Sequence, residues 1–262
     1  MMTRLPTLFV SHGSPMLAIQ KTAAHEFLET LGQILPPPKA VLIVSAHWET
    51  PGASALTTSI VPETIHDFGG FPPALFEIEY RAPGAPATAA RAACLLEQAG
   101  HAVKANATRG LDHGAWVPLS LMYKDADIPV TQLSLVRGAT PAENLALGRA
   151  LSALRDEGTL IIGSGSLTHN LYEFRGQAVD APVPSWVSDF DVWMKGRLEQ
   201  GDTQSLTEYR NQAPHAVRNH PTEEHLSPLF VALGAAGTLA AAKRLHSSYE
   251  YGVLAMDVYA FE

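Results

Sequence analysis

Ala40-Val41-Leu42-Ile43-Val44-Ser45-Ala46-His47-Trp48 begins as an uninterrupted apolar run behind the Pro36-Pro37-Pro38 break and ends on a histidine. A short β-branched apolar run closed by turn formers reads as a strand buried on both faces. Two other stretches repeat the pattern. Phe9-Val10-Ser11-His12-Gly13-Ser14-Pro15 places His12 just past a first strand, and Ile161-Ile162-Gly163-Ser164-Gly165-Ser166-Leu167-Thr168-His169-Asn170 places His169 past another. In open α/β sheets ligands bind outside the carboxyl ends of the strands, so three histidines are expected to meet there. The glycines and serines beside them permit tight turns and close backbone approach.

Working outward, short apolar runs alternate with longer helical patterns, which argues for an α/β domain. Strands are expected at residues 8–10, 40–45, 130–135, 160–162 and 253–261. Helices are expected at residues 86–100, 141–155 behind Thr140, 188–198, and 228–236 behind a Ser227 cap. Residues 50–86 and 175–185 are rich in Gly, Pro, Ser or Thr and lack periodicity, as expected of loops that wall a site. No repeat, low-complexity linker or compositional break divides the chain, so residues 1–262 read as one domain.

Composition narrows the chemistry. Eleven histidines stand beside a single cysteine, Cys94, which excludes an internal disulfide and any multi-thiolate metal site. A bound metal must be held by histidines and carboxylates. The net charge of −8 and the lack of a basic run argue against nucleic acid as a partner. No apolar stretch approaches membrane-spanning length and the N-terminus resembles no targeting segment, so a cytoplasmic location with no membrane partner is expected.

The remaining histidines differ in context. His25, His66, His101 and His246 read as surface or core residues. His215, His220 and His225 recur every five residues, about 500° on a helix, and Pro214 and Pro221 forbid one continuous helix. His225 nevertheless precedes the Ser227-Pro228 helix start, where it is placed to deliver a ligand from the far end of the chain. In Leu111-Asp112-His113-Gly114-Ala115-Trp116-Val117-Pro118, Asp112 is a candidate helix cap, with the proline read as lying in the first turn, and His113 a pocket-facing acid or base. Trp48 and Ser14 adjoin site histidines and are candidate substrate contacts; Trp116 reads as either stacking platform or core.

Taken in order, SHGSP, SAHW, LDHGAWVPL, GSGSLTHNL and EEHLSPL resemble the class III extradiol ring-cleavage dioxygenases, DOPA 4,5-dioxygenase-like members included, and the likeness spans almost the whole chain. The resemblance implies a single catalytic α/β domain with a central mixed sheet flanked by helices and a non-haem metal site at the carboxyl ends of the strands. It implies His12, His47 and His225 as metal ligands. His169 is implied as acid/base and, in some members, a fourth ligand, and His113 as a second pocket histidine contacting substrate or oxygen. Fe(II) is the metal implied for ring cleavage, and Zn(II) is reported for some members. The implied reaction opens a small catechol such as DOPA with O₂ to a muconate semialdehyde. One departure stands out: the oxygenase facial triad has two histidines and a carboxylate, whereas three histidines suit zinc with a position left for water. The competing reading is therefore a zinc hydrolase on the same histidines, with Glu49 or Glu224 as base. The resemblance leaves oligomeric state open.

Overall fold

The computed structural model describes residues 4–237 and 242–262. The strands are β1 (Thr7–Ser11), β2 (Ala40–Thr50), β3 (Ser54–Thr57), β4 (Val103–Asn106), β5 (Val130–Val136), β6 (Thr159–Gly165), β7 (Ala242–His246), β8 (Tyr249–Glu250), β9 (Leu254–Ala255) and β10 (Val258–Phe261). The longer helices are α1 (Ala23–Ile34), α2 (Pro86–Gln98), α3 (His113–Met122), α4 (Pro141–Ala150), α5 (Ser185–Gln200) and α6 (Ser227–Ala236). Among the described residues no helix is long and apolar enough to cross a membrane.

Eight strands form one mixed sheet in the order β4-β3-β5-β2-β6-β1-β10-β7, and β8 pairs with β9 in a separate ribbon. The centre, β5-β2-β6-β1, is parallel, while β10 runs antiparallel to β1 and β7 antiparallel to β10. The continuous apolar runs have a direct cause, because successive strand residues face opposite sides and both sides are covered. Leu8, Val10, Val41, Ile43 and Ile162 pack in one core with Leu28 and Leu31 of α1 and Trp116 and Leu119 of α3. Their neighbours face the other way: Leu42, Val44 and Ile161 pack with Leu96 of α2, Leu147 of α4 and Val231 of α6. Helix α6 is apolar all round because it is buried from Pro228 to Ala236.

This topology sets the site. β6 lies between β1 and β2, with Ser11 opposite Gly165 and Ser45 opposite Ser164. His12 and His47 therefore approach each other over the carboxyl end of β6, whose Gly163-Ser164-Gly165-Ser166 leaves the space. The same small residues admit the other chain end. A Cβ on Gly165 would run into the carbonyl oxygen of His225, which accepts a hydrogen bond from Ser166 N at 2.9 Å.

Several expectations need correction. His47 lies inside β2 rather than past it; pairing with β5 breaks after Val44 and resumes at Glu49, a bulge of the kind that re-aims a side chain beside a site. The expected closing strand 253–261 is two strands, β9 and β10, separated at Met256-Asp257, where the buried Asp257 carboxylate takes Arg244 Nη1 at 3.1 Å. Helix 141–155 ends at Ala150 and passes into a 3-10 turn, Ser152–Arg155, and α5 begins three residues before the expected 188, directly after Pro184. Ser227 is the first residue of α6, not its cap; its hydroxyl donates back to Glu223 O at 3.1 Å. Pro118 lies within α3, beyond its first turn. The irregular stretch 50–86 contains β3 and a short helix, Pro73–Phe76.

The close approach at Gly165 predicts that Gly165→Ala loses about 1–3 kcal/mol of stability through overpacking. Chemical denaturation of parent and variant measures it, and equal midpoints would mean that β6 and the His225 segment are not tightly packed.

Candidate metal centre and its cavity

Five histidines from five segments crowd together. His12 follows β1, His47 sits in the β2 bulge, His113 is the first residue of α3, His169 follows β6, and His225 precedes α6. Nε2 of His47 lies 3.0 Å from Nε2 of His12 and 3.3 Å from Nε2 of His225. Nitrogens bound cis on one metal at about 2.0–2.1 Å stand roughly 3 Å apart, so this spacing fits a shared ion. Ligand atoms of His12, His47 and His113 lie within 4.8 Å of one another, as do those of His169, Glu224 and His225. The rings of His169 and His225 stack at 3.5 Å and 9°.

The outer nitrogens have their own partners. His225 Nδ1 lies 3.0 Å from Glu224 Oε1, and a carboxylate only accepts, so this nitrogen carries the proton and leaves the Nε2 lone pair toward His47. His113 Nδ1 donates to Asp67 Oδ1 at 2.8 Å, and the same oxygen accepts the His113 backbone N–H at 3.0 Å. His12 Nδ1 meets Ser164 Oγ at 2.9 Å. His47 Nδ1 stands 3.9 Å from Asp67 Oδ2, an ion-pair separation rather than a hydrogen bond.

The scaffold beneath His47 is a fully buried Asp112. It caps α3 by accepting from Ala115 N at 3.2 Å and accepts Ser45 Oγ–H at 2.6 Å. Its other oxygen takes Arg109 Nη2 at 3.0 Å and Gln132 Nε2. Arg109 also donates to the His47 carbonyl at 3.3 Å, which clamps the bulge. Gly114 has no room for a side chain: a Cβ would meet Ser45 Oγ, His47 Cδ2 at 3.0 Å and His12 Cε1 at 3.1 Å.

Desolvation, reinforced by mutual repulsion, pushes His12 and His225 well below the ordinary imidazole range. Burial takes His47 to about 4, with neighbouring His113 adding to the fall, and burial likewise takes His169 to about 4. All four are neutral at pH 7, the form a metal ligand or general base requires. Burial alone would raise Asp67, but its hydrogen bonds from His113 outweigh that and hold it at about 2.

A cavity of about 220 Å³ opens over this cluster, lined by His47, Asp67, His113, His169 and His225 together with Phe68, Phe71, Leu171, Phe174 and Leu254. Ser14 lines it as well. Trp48 does not, which corrects its reading as a substrate contact: it is buried under the Arg109 guanidinium, 4.8 Å from the ring centre. Trp116 is fully buried and donates to Ile65 O at 3.0 Å. Glu49 is not among the lining residues, and Glu224 is committed to His225. Sequence reasoning missed Asp67 and the phenylalanines Phe68 and Phe71, which fall in the segment read as an irregular wall. The His66-Asp67-Phe68 triplet, acid and aromatic beside a histidine, was the available signal.

The family described as the catalytic LigB subunit of aromatic ring-opening dioxygenase matches residues 6–261. A protein of Beta vulgaris named 4,5-DOPA dioxygenase extradiol is 43% identical over 97% of this chain and 96% of its own length. A protein of Escherichia coli K12 with the same name is 42% identical over 89% of this chain and 86% of its own. A crystal structure of an uncharacterised E. coli K12 protein superposes with a TM-score of 0.82 at 34% identity, covering 99% of this chain and 100% of that one.

The buried imidazoles predict an acid sensitivity. Unfolded histidines take up protons near pH 6.5, whereas the buried ones resist protonation until about pH 4, so the unfolded state binds more protons between those values. Stability of the metal-free protein therefore falls as pH drops from about 6.5 to about 4, and Asp67, held low, adds a further loss only below about pH 4. His220 lies outside the metal cluster, fully buried and donating to Leu167 O at 2.8 Å, and it contributes about 3 kcal/mol over the full window. Urea denaturation at several pH values checks this, with His220→Gln flattening the slope; stability independent of pH across the window would overturn it.

Proposed function

We propose that this chain, which belongs to the family of catalytic LigB subunits of aromatic ring-opening dioxygenases, holds Fe(II) on His12, His47 and His225 and opens a catechol such as DOPA to a muconate semialdehyde. The observation that carries the reading is the chain of Nε2 atoms, 3.0 Å from His12 to His47 and 3.3 Å from His47 to His225, on rings that burial keeps neutral. Fe(II) held there would supply Lewis acidity toward the catechol oxygens and a redox path between ring and O₂, whereas Zn(II), equally suited to three imidazoles, would supply only the first.

The protein's own groups then have distinct tasks. His169, neutral at pH 7 and at the cavity wall, accepts a catechol hydroxyl proton and later returns it to the ring-opened product. His113, whose Nδ1 proton is held by the ionised Asp67, keeps Nε2 as an acceptor that orients a substrate hydroxyl. Ser14 offers a hydroxyl at the rim. Phe68, Phe71, Phe174 and Leu254 pack the ring and keep water from the reacting carbons. His169 serves as acid/base in this scheme rather than as a fourth ligand, because its ring lies flat on His225.

The test is anaerobic loading of metal-free protein with Fe(II), followed by DOPA or 4-methylcatechol with oxygen. A yellow ring-opened product with one O₂ consumed per catechol is expected, and His169→Ala should keep its metal and lose about 10²–10⁴-fold in kcat. Absence of product from the parent, with ester turnover and no oxygen uptake in the zinc-loaded form, would replace this reading with the hydrolase.

A further inference from the structure

The most buried ligand, His12, has an unusual partner. His225 and His113 each give their Nδ1 proton to a carboxylate, but His12 Nδ1 faces a serine hydroxyl, Ser164 Oγ, at 2.9 Å. A hydroxyl can donate or accept, so by itself it leaves the imidazole free to carry its proton on either nitrogen. Here the ambiguity is removed. Ser164 Oγ also makes a short hydrogen bond to the carbonyl oxygen of Gly114, and a carbonyl has no proton to give. The serine's single proton is therefore committed to Gly114, and its oxygen accepts from His12 Nδ1–H.

That commitment depends on a free helix carbonyl. Gly114 lies in the first turn of α3, where its oxygen would ordinarily accept the N–H of residue 118 four positions on. Residue 118 is proline and has no N–H. The carbonyl is left for Ser164, across 50 residues of sequence.

We propose that Ser164 is a positioning residue that locks His12 in the Nδ1–H tautomer and so keeps its Nε2 lone pair on the metal site, and that Pro118 enables this by freeing the Gly114 carbonyl. The arrangement suits the depth. His12 is 1% exposed, and an ionised carboxylate beside it would carry a desolvation cost that a hydroxyl avoids. It also gives a physical reason for a proline inside a short, buried helix, and for serine within the glycine-rich end of β6.

The inference rests on His12 being a ligand, and two measurements keep the two apart. Nitrogen NMR of zinc-free protein with labelled histidine reads the tautomer directly: His12 is expected with its proton on Nδ1, and a proton on Nε2 overturns the proposal whatever the metal does. Zinc titration then compares parent, Ser164→Ala and Ser164→Thr. Ser164→Ala is expected to bind zinc about 10–100-fold more weakly and to show mixed His12 tautomers, while Ser164→Thr, which keeps the hydroxyl, restores both. A folded Ser164→Ala with parental affinity and a single Nδ1–H tautomer overturns the role of the serine. A parent that takes up no zinc would count against the ligand assignment alone, since the tautomer is read without metal.

Discussion

The constraint on which the rest of the structure depends is electrostatic: several imidazoles are buried within contact distance of one another and must all stay neutral. His12, His47 and His225 direct Nε2 atoms at a common region, and His169 and His113 close in from the sides. A second charge among them would meet the first across about 5 Å of desolvated interior, a costly repulsion. The fold meets this by burial, which penalises the charged form, and by giving three of the outer nitrogens an acceptor. Nε2 atoms brought this close on neutral rings form a cluster that could hold a cation.

Such crowding is possible only because the surrounding backbone is thin. A Cβ on Gly114 would stand only 3.0 Å from the His47 ring and 3.1 Å from the His12 ring, and β6 ends in glycine and serine so that β1, β2 and the His225 segment close over it. The opening this leaves is stiffened by Asp112, whose two oxygens gather Ser45, Arg109, Gln132 and the α3 N-terminus. A carboxylate at a helix N-terminus is favoured by the helix dipole, and four donors offset its burial. Because Arg109 reaches the His47 carbonyl from the same hub, the β2 bulge and the start of α3 are held as one unit. His47 and His113 are thus positioned together.

Much of this was legible in the chain. The apolar runs before His12, His47 and His169 located the central strands, since a strand covered on both faces has no polar positions to blur its pattern. Edge strands were not legible for the converse reason: Val103–Asn106 and Ala242–His246 carry lysine, arginine or asparagine, as exposed sheet edges do, and so resemble loops. The bulge at His47 leaves no mark in composition, because it is a matter of register with β5. Trp48 was misread for a related reason. Adjacent strand residues point to opposite faces, so the neighbour of a residue that faces the site turns away from it, and here it lies under Arg109. Asp67 lies in a segment without periodicity, where the adjoining His66 and Phe68 mark it only weakly, and folding alone brings it to His113.

No carboxylate stands among the converging Nε2 atoms of His12, His47 and His225, and the outer ring of partners gives a structural reason. The negative charge that an aspartate or glutamate ligand would bring is present, but one hydrogen bond behind the imidazoles, as Glu224 on His225 Nδ1 and as Asp67 on His113 Nδ1 and near His47. An imidazole whose outer N–H is held by a carboxylate is a stronger donor at its inner nitrogen, so the site gains basicity while Asp67, the carboxylate at the cavity wall, keeps its charge turned on His113. The cavity thus combines the neutral imidazoles of His47, His169 and His225, which can accept protons, with phenylalanine and leucine side chains that cannot, so proton transfer and exclusion of water fall to different residues of one cavity.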